Sequence, residues 1–526
     1  MFGEQFHRKF YLTSLAVILC SLPSSIIGVS IGTITLVVNF LLSGSWSLKL
    51  QRLKAKPMVW VFVAMYLPIL LSGLLSSNHR LGFEIIRLWL PVLLIPPIVA
   101  ASQELTGKEF RVLLWLFILS TFTITVIGTY NYFIGDPSDI RKISPFISHI
   151  RLALMVNLSL ALLVYYLTEW IVARPFERWF AISAMAWFLF FFLVFSSFTG
   201  MLMLSILILL IAIKYLFKLG SIARFITITG FLTVIFIVLS FVLHRYDSMY
   251  AVKLTPDNSP RAVTVNGNPY QHDILSRETE NGYLVNINIC EQELKIEWSK
   301  RSNIPYEGTD KKGQPLRTTL IRYLASAGLT KDSLGVCKLD SIDIALIEGG
   351  YTNTIFKGKV TGIESRLYEF FYEINRYRKN GSLTGGSVLR RLLYAQAAWH
   401  VIKANPLFGV GYGDLPAAMN HFYDINKIDL PQSYRFMPHN QYLTVWASAG
   451  VIGLIIFMLS LTLPFFKSPN FQVLPVKYFW LIVVISMLFE DTMLTHTGIS
   501  FVAVFSALFL FGHSFPIVKQ EDYAAR

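Results

Sequence analysis

Twelve apolar runs, separated by short polar loops and one large polar block, constrain this chain more than any other feature. Several runs are about 17 to 25 residues long, the length that an α-helix needs to cross a ~30 Å hydrocarbon core. Charged residues make up only 15% of the chain, below the roughly 25% of soluble domains. The runs lie at residues 10–27, 29–43, 58–76, 84–101, 110–134, 151–172, 178–197, 199–217, 223–243, 440–466, 473–490 and 496–515. The sequence therefore predicts an all-α polytopic membrane protein with about twelve transmembrane helices.

The positive charge is distributed as membrane insertion requires. The net charge is +14, but residues 244–439 hold 24 Lys and Arg against 20 Asp and Glu, a net of +4. The remaining +10 lies among the apolar runs, mostly in short loops, as the positive-inside rule produces. This distribution argues against nucleic acid and for a lipid bilayer as partner.

The basic loops also predict the topology. Four loops carry the Lys and Arg residues of the cytoplasmic side: Lys49, Arg52, Lys54 and Lys56; Arg174 and Arg178; Lys214, Lys218 and Arg224; Lys467 and Lys477. Alternation then places both termini in the cytoplasm. The loops at 78–80, 135–137 and 490–491 and the block 244–439 fall outside. We expect the first apolar run to be retained as a helix rather than cleaved as a signal peptide.

The predicted organisation has four parts. Residues 1–243 form the first nine transmembrane helices, 244–385 an inserted extracytoplasmic domain, 386–439 an extracytoplasmic catalytic segment, and 440–526 the last three helices with a short tail. The insertion is predicted to be mixed α/β, because "GYLVNINICEQELKIEW" alternates like a strand before a helix or second strand, and two later stretches have helical spacing. Cys290 and Cys337 could form a disulfide if the insertion is extracytoplasmic.

Residues 390–414, "RRLLYAQAAWHVIKANPLFGVGYGD", combine an Arg pair, an amphipathic helix and three glycines at alternate positions. Glycine there permits tight turns or close backbone approach to a ligand. One interpretation is a loop that folds back over the membrane. The other is a phosphate-binding loop, for which the following "DLPAAMNHFY" supplies only a weak helix N-terminus.

A second polar stretch, "PHNQYL" at 438–443, precedes an apolar helix containing "AGVIGL". Together, "NPLFGVGYGD", "PHNQYL" and "AGVIGL" resemble the C-terminal signature of the O-antigen ligase and O-antigen polymerase family. "SHIRLALMVNLSLAL" at 148–162 is similar to another stretch of that family. The insertion and the sequence "HNQYLT" resemble those of family members from Bacteroidetes-type bacteria. The specific motifs span about 65 residues, whereas the predicted helix layout covers the whole chain.

The resemblance implies inverting, metal-independent glycosyl transfer on the periplasmic face of the bacterial inner membrane. The donor would be a glycan on undecaprenyl diphosphate, and the acceptor a hydroxyl of lipid A–core or of another lipid-linked glycan. No cofactor is implied. The sequence contains no HExxH, CxxC pair or Asp-x-Asp motif, so no metal-ligand set is visible in it.

This chemistry assigns roles to residues. The diphosphate requires cations, and arginine suits phosphate because its fork donates two parallel hydrogen bonds. The acceptor hydroxyl requires a base, for which histidine is suited near neutral pH. The resemblance implies His439 as the base and Arg391 as the first cation.

A second arginine is expected by resemblance between the seventh and eighth helices, where this chain has Ser196, Ser197 and Thr199 instead. Arg151, beside His149, is the nearest replacement, and Arg87 and Arg435 follow. Arg87 lies about one turn inside an apolar run, where a charge is costly and often functional; alternatively it snorkels or pairs with Glu84.

The other residues near these motifs also have purely structural interpretations. Asn440 is suited to cap a helix, and Tyr442 either lines a glycan or lipid cleft or anchors at the interface. Gly450 and Gly453 favour close helix packing. Glu490 and Asp491 are predicted to be solvated loop residues, with binding of sugar hydroxyls as the alternative.

Three functions remain open: a ligase or a polymerase of this family, a polysaccharide exporter or flippase, and a relative that only binds lipid-linked glycan. An exporter predicts charges along a path through the membrane. The charges gather at the outer edge of the apolar runs instead, which favours the transferase.

Overall fold

A computed structural model describes residues 3–134, 144, 146–168, 175–195, 198–216, 219–253, 258–273, 275–276, 278–357, 363–380 and 387–515. The predicted outer loop at 135–137, the serines at 196 and 197, and the cytoplasmic-side residues Arg174 and Lys218 lie outside these ranges.

The protein is predominantly helical, with 74% helix and 2% strand. The first twelve helices are α1 (Glu4–Ser21), α2 (Ile26–Leu42), α3 (Trp46–Ala55), α4 (Met58–Val63), α5 (Tyr66–Leu74), α6 (His79–Leu88), α7 (Leu90–Ala101), α8 (Gly107–Ile134), α9 (His149–Thr168), α10 (Pro175–Phe195), α11 (Phe198–Leu216) and α12 (Ser221–Tyr250). The remaining elements are β1 (Thr279–Glu280), β2 (Tyr283–Leu284), α13 (Glu291–Ser299), α14 (Leu316–Ser326), α15 (Ser333–Cys337), α16 (Ser341–Glu348), α17 (Ile363–Asn380), α18 (Ser387–Ala404), α19 (Leu415–Ile425), α20 (Gln441–Lys467), α21 (Leu474–Phe489) and α22 (His496–Ala507).

Within the described residues, each predicted apolar run is mostly helical. Within the described residues, six helices are long and apolar enough to cross a membrane, or seven if α2 and α3, bent by 115°, count as one span. Three further apolar stretches are shorter: Met58–Leu74, Leu474–Phe489 and His496–Gly512. The chain is thus a multi-pass membrane protein, and the count of twelve spans stays a prediction.

The chain forms two compact units, one of residues 1–211 with 376–526 and the other of residues 212–375. In the first unit, α9 is the most buried of the long apolar helices. Its Asn157 donates to the Gly200 carbonyl at 3.1 Å and accepts from the Tyr478 hydroxyl at 2.9 Å. These bonds tie α9 to α11 and α21, and so set the start of α9 beside the end of α21.

The unit of residues 212–375 is less strand-rich than predicted. Its β1 and β2 strands pair antiparallel over two residues each, around Asn281 and Gly282. Both turn residues have positive φ, 51° and 83°, as a tight hairpin turn requires. Asn288 also has a positive φ of 53°, so the chain turns away before the predicted strand can extend, and α13 follows. Cys290 and Cys337 are both free thiols, so the possible disulfide is not formed.

Candidate functional site

Three residues predicted for the site meet at one buried carboxylate, that of Glu490, which directly follows α21. Arg391 Nη2 donates to Glu490 Oε1 at 2.7 Å. Arg151 Nη1 and His439 Nδ1 each lie 3.6 Å from Oε2. The Glu490 side chain is only 6% exposed. Residues far apart in sequence are therefore gathered around one negative charge.

Arg151 is held from the first turn of α9. Its guanidinium donates to the Ser148 hydroxyl at 3.2 Å and to the Asp491 carbonyl at 3.3 Å. The side chain is buried. Both terminal nitrogens of Arg151 therefore contact protein groups, and its charge lies beside the Glu490 carboxylate.

Arg391 differs from Arg151 in accessibility. It lies in the first turns of α18, and its side chain remains 39% exposed while paired with Glu490. A guanidinium has five N–H donors, so pairing with one carboxylate oxygen leaves donors for a ligand. Arg391 is thus the cation of this cluster that an incoming anion can reach.

His439 is fixed through its main chain. Its φ is 52°, in the left-handed region that non-glycine residues seldom adopt. Its amide donates to Asp491 Oδ2 at 3.0 Å, and the other oxygen of Asp491 accepts from the Thr444 hydroxyl at 2.6 Å. Asp491 therefore bridges His439, two residues before α20, and the first turn of that helix, which stabilises the unusual backbone of His439.

The two ring nitrogens of His439 differ in their surroundings. Nδ1 faces Glu490, and the ring lies 5.7 Å from that of Tyr394 and 5.9 Å from that of Phe436, measured between centroids. Nε2 has no hydrogen-bond partner within the described part of the chain. The carboxylate favours the tautomer with its proton on Nδ1, which leaves a lone pair on Nε2.

The pKa values of the two adjacent acids are shifted in opposite directions. Burial raises the pKa of Glu490, but His439 and the charges of Arg151 and Arg391 outweigh it, so the net pKa lies below the ordinary value. Burial raises the pKa of Asp491 above its ordinary value, despite the hydrogen bonds from Thr444 and His439, and the neighbouring charge of Glu490 acts in the same direction. Glu490 is the ionised partner of the cluster.

Asn440 and Tyr442 have structural partners. Asn440 caps α20, since its side-chain oxygen accepts from the amides of Tyr442 and Leu443 at 3.0 and 3.1 Å. The Tyr442 hydroxyl donates to the Val484 carbonyl of α21 at 2.7 Å. Both residues fasten the start of α20 rather than face an open site.

The glycine loop, residues 405–414, is not free to bind phosphate. The amides of Val410 and Gly411 donate to carbonyls of α20, at 3.0 and 2.9 Å. Those of Tyr412 and Gly413 donate to the hydroxyls of Ser72 and Ser76, at 3.1 and 2.9 Å. A phosphate-binding loop needs open N–H groups. The geometry therefore favours the interpretation of a loop packed against the helices.

Arg435 and Arg87, which were also predicted for the site, are not among the residues that contact Glu490. Arg435 donates to Asp424 at 2.9 Å and to the Leu430 carbonyl, so it ties its loop to α19. Arg87 is exposed on α6, and Glu84 pairs with Arg80 instead, at 3.4 Å. The alternative pairing of Arg87 with Glu84 is therefore wrong.

The remaining predicted residue, His149, begins α9, half-buried and two residues before Arg151. Thr199, at the position where the resemblance implies an arginine, is buried.

Glu490 and Asp491 were predicted from the sequence to be solvated loop residues. Both are buried. The signal was two adjacent acids at the end of an apolar run, since intramembrane or membrane-edge charges are expensive and usually paired. The hydroxyl of Tyr412, in the glycine loop, is also buried and has no hydrogen-bond partner within the described residues.

The cluster is suited to chemistry that needs a base and a cation. No group of three or more His, Cys, Asp or Glu residues able to hold a metal occurs in the described ranges. A histidine with a free Nε2 can accept a proton from a hydroxyl. An accessible arginine a few ångströms away, on the same carboxylate, can bind a phosphate.

Comparison with known proteins identifies the segment that carries part of this cluster. Residues 353–458 match the family model described as O-antigen ligase. The match includes Arg391 and His439, whereas Arg151 and Glu490 lie outside it. No curated protein matches the chain. The similarity to the O-antigen ligase family is therefore shown for residues 353–458, the segment that holds Arg391 and His439.

Proposed function

We propose that the protein is an O-antigen ligase, a membrane glycosyltransferase that moves a glycan from undecaprenyl diphosphate to a hydroxyl of lipid A–core. The observation that carries this proposal is the placement of His439 and Arg391 on opposite oxygens of Glu490, within or beside the O-antigen ligase domain. The reaction would be inverting and metal-independent, and it would take place on the periplasmic face of the inner membrane.

His439 serves as the base. The acceptor hydroxyl gives its proton to Nε2 while its oxygen attacks the anomeric carbon of the donor sugar. The ring then carries a positive charge, which Glu490 stabilises from the Nδ1 side at 3.6 Å. An ionised carboxylate is needed for this role, and the lowered pKa of Glu490 supports it. The arrangement orients the ring as well as stabilising its charge.

Arg391 serves the leaving group. As the new glycosidic bond forms, the bond between the anomeric carbon and the phosphate oxygen breaks, and its electron pair leaves with the diphosphate. Arg391 is accessible and donates in a fork suited to phosphate oxygens. Arg151, buried behind Glu490, balances the carboxylate so that Arg391 is not fully neutralised by it.

The test uses purified full-length protein in lipid, with a lipid-linked glycan as donor and lipid A–core as acceptor. His439→Ala should lower kcat by roughly 10²–10⁴-fold, the range for loss of a general base. Arg391→Ala should abolish or strongly reduce transfer. Arg390→Ala is the matched control, because the Arg390 guanidinium lies 4.5 Å from the Tyr434 ring rather than on Glu490.

The products distinguish the candidates. Glycan attached to lipid A–core supports a ligase, and longer lipid-linked glycan without attachment indicates a polymerase of the same family. Unchanged transfer by His439→Ala contradicts the assignment of the base. If the wild-type protein forms neither product but is required for donor to reach the outer leaflet in cells, it is an exporter.

A further inference from the structure

The glycine loop, residues 405–414, packs against a break in α20. Gly450 interrupts α20 with φ 70° and ψ −178°. The Val451 amide, which has lost its helical partner, donates to the Pro406 carbonyl at 2.9 Å. A Cβ at Gly450 would come within 2.0 Å of the Leu407 carbonyl oxygen. The loop thus inserts directly into the broken turn of the helix.

The break lies deep along α20. The helix has 27 residues, about 40 Å at 1.5 Å per residue, which matches the roughly 40–45 Å of a bilayer with its headgroups. Ala447 and Gly450 follow Gln441 by six and nine residues, or about 9–14 Å along the axis. The headgroup zone takes up only about 5–7 Å on each side. The loop therefore contacts α20 at the depth of the hydrocarbon.

From Gly409 onward, the loop meets the main condition for irregular backbone at that depth. Non-helical chain inside a bilayer must have its polar groups satisfied by protein. The amides from Gly409 to Leu415 all donate to protein groups: Asn405, Ala447, Ser448, Ser72, Ser76 and, for Asp414 and Leu415, Gly411. The amides of Leu407 and Phe408, at the tip of the loop, have no hydrogen-bond partner among the described residues.

Two large apolar side chains at the tip remain uncovered. Leu407 is 55% and Phe408 76% exposed. The backbone of the tip lies against Gly450, less than two turns before Ile452 and Ile455, which are exposed on the same helix. The exposed side chains of the tip are therefore carried close to the apolar surface of α20.

The residues flanking the tip are of the kind found at an interface. The rings of Trp399 and Trp446 meet edge to face at 5.5 Å, and Lys403 lies 5.9 Å from the Trp399 ring centre. Tryptophan concentrates at the headgroup level, and lysine extends its charge towards water.

We propose that the glycine loop is re-entrant, with Leu407 and Phe408 in contact with phospholipid acyl chains of the leaflet next to the site. The occupant of this surface is the bilayer itself. The placement depends on α20 crossing the membrane and not on the reaction, so it holds or fails separately from the proposed glycosyl transfer.

The test is photo-crosslinking of the full-length protein in vesicles of phosphatidylethanolamine and phosphatidylglycerol. Phe408→p-benzoyl-phenylalanine and Leu407→p-benzoyl-phenylalanine are compared with Ile425→p-benzoyl-phenylalanine. Ile425 is the matched control because it is an apolar residue 52% exposed at the end of α19, next to Asn426 and Lys427. Mass spectrometry locates each adduct on the lipid.

We expect acyl-chain adducts at positions 407 and 408 in several-fold higher yield than at 425. Equal yields at the three positions, or adducts restricted to headgroups, would overturn the proposal. Only variants that keep the wild-type thermal unfolding temperature are compared, and two tip positions are used so that one misfolded variant does not decide the outcome.

Discussion

At the scale of single residues, the cluster depends on two neighbouring acids with different tasks. Glu490 contacts the side chains of the cations, whereas Asp491 contacts the main chain of His439 and the hydroxyl of Thr444. Holding a histidine in the left-handed region costs roughly 1–2 kcal/mol, and the hydrogen bond to Asp491 offsets that cost. The side chains of the cluster and the backbone of His439 are therefore held by separate carboxylates.

Asp491→Ala and Asp491→Asn should differ in their effect. Alanine leaves the His439 amide and the Thr444 hydroxyl without their partner, at about 1–3 kcal/mol for each buried group. Asparagine can accept from the amide through its oxygen and donate to the hydroxyl through its nitrogen. We expect alanine to lower both the unfolding temperature and kcat, and asparagine to restore most of each. Equal loss in both variants would show that the charge, rather than the hydrogen bonds, is needed.

Glu490→Gln should change the pH dependence of stability. The folded pKa of Glu490 is lowered, so its ionised form stabilises the fold above the ordinary carboxyl pKa of about 4.3. That contribution disappears as pH falls through the lower folded value. The stability difference between wild type and Glu490→Gln should therefore be largest near neutral pH and shrink below about pH 4. Thermal unfolding of both proteins across this range measures it, and a constant difference would contradict it.

At the scale of elements, α20 consists of two helical pieces that meet at Gly450. The glycine loop hydrogen-bonds to both pieces. The carbonyls of Ala447 and Ser448, left open by the break, accept from Val410 and Gly411. Ser72 of α5 adds a further link, since its hydroxyl donates to the Ser448 carbonyl at 2.9 Å and accepts from the Tyr412 amide. The break is thus repaired by partners from two other segments.

Gly450→Ala should be strongly destabilising. The φ and ψ of Gly450 fall in a region open essentially to glycine alone, which costs about 1–3 kcal/mol for other residues. The added Cβ would also overlap the Leu407 carbonyl. Gly230→Ala is the control, because a Cβ there meets nothing within 4 Å in α12. We expect a large fall in unfolding temperature, measured in detergent, for the first variant and little change for the second.

A Gly450→Ala protein as stable as Gly230→Ala would mean that α20 can straighten without its loop. The described packing of residues 405–414 on α20 would then not be required for folding.

At the scale of the whole molecule, the unit of residues 212–375 has its own polar core. Arg322 pairs with the buried Glu280 and donates to the Tyr368 hydroxyl. Asn353 donates to the other oxygen of Glu280 at 2.8 Å. A buried pair of this kind is costly to break because it leaves an uncompensated charge.

Arg322→Ala should therefore destabilise this unit by about 3–5 kcal/mol. Arg317→Ala, which removes the half-exposed pair with Glu291, should cost about 0–1 kcal/mol. Hydrogen exchange, peptide by peptide, is the measurement. Loss of protection should be confined to residues 212–375 in the first variant, and an equal loss throughout residues 1–211 would contradict separate cooperative units.

The sequence by itself determined the class of fold. Apolar length and low charge predicted helices in the apolar runs, because a segment in hydrocarbon must pair its backbone internally. It also predicted His439, Arg391 and Arg151 as members of one site, partly by family resemblance. The strand content of residues 244–385 was overestimated, since period-two alternation does not reveal where positive-φ turns at Asn281 and Asn288 stop a strand.

Only the tertiary structure decided which residues complete the site. Whether Glu490 and Asp491 face water or a cluster of cations depends on packing between α9, α18, α20 and α21, which local pattern does not encode. The glycines at 409, 411 and 413 carry the same lesson, since their spacing fits a phosphate loop or a packed turn equally well. The partners of their amides distinguish the two, and those partners lie on helices distant in sequence.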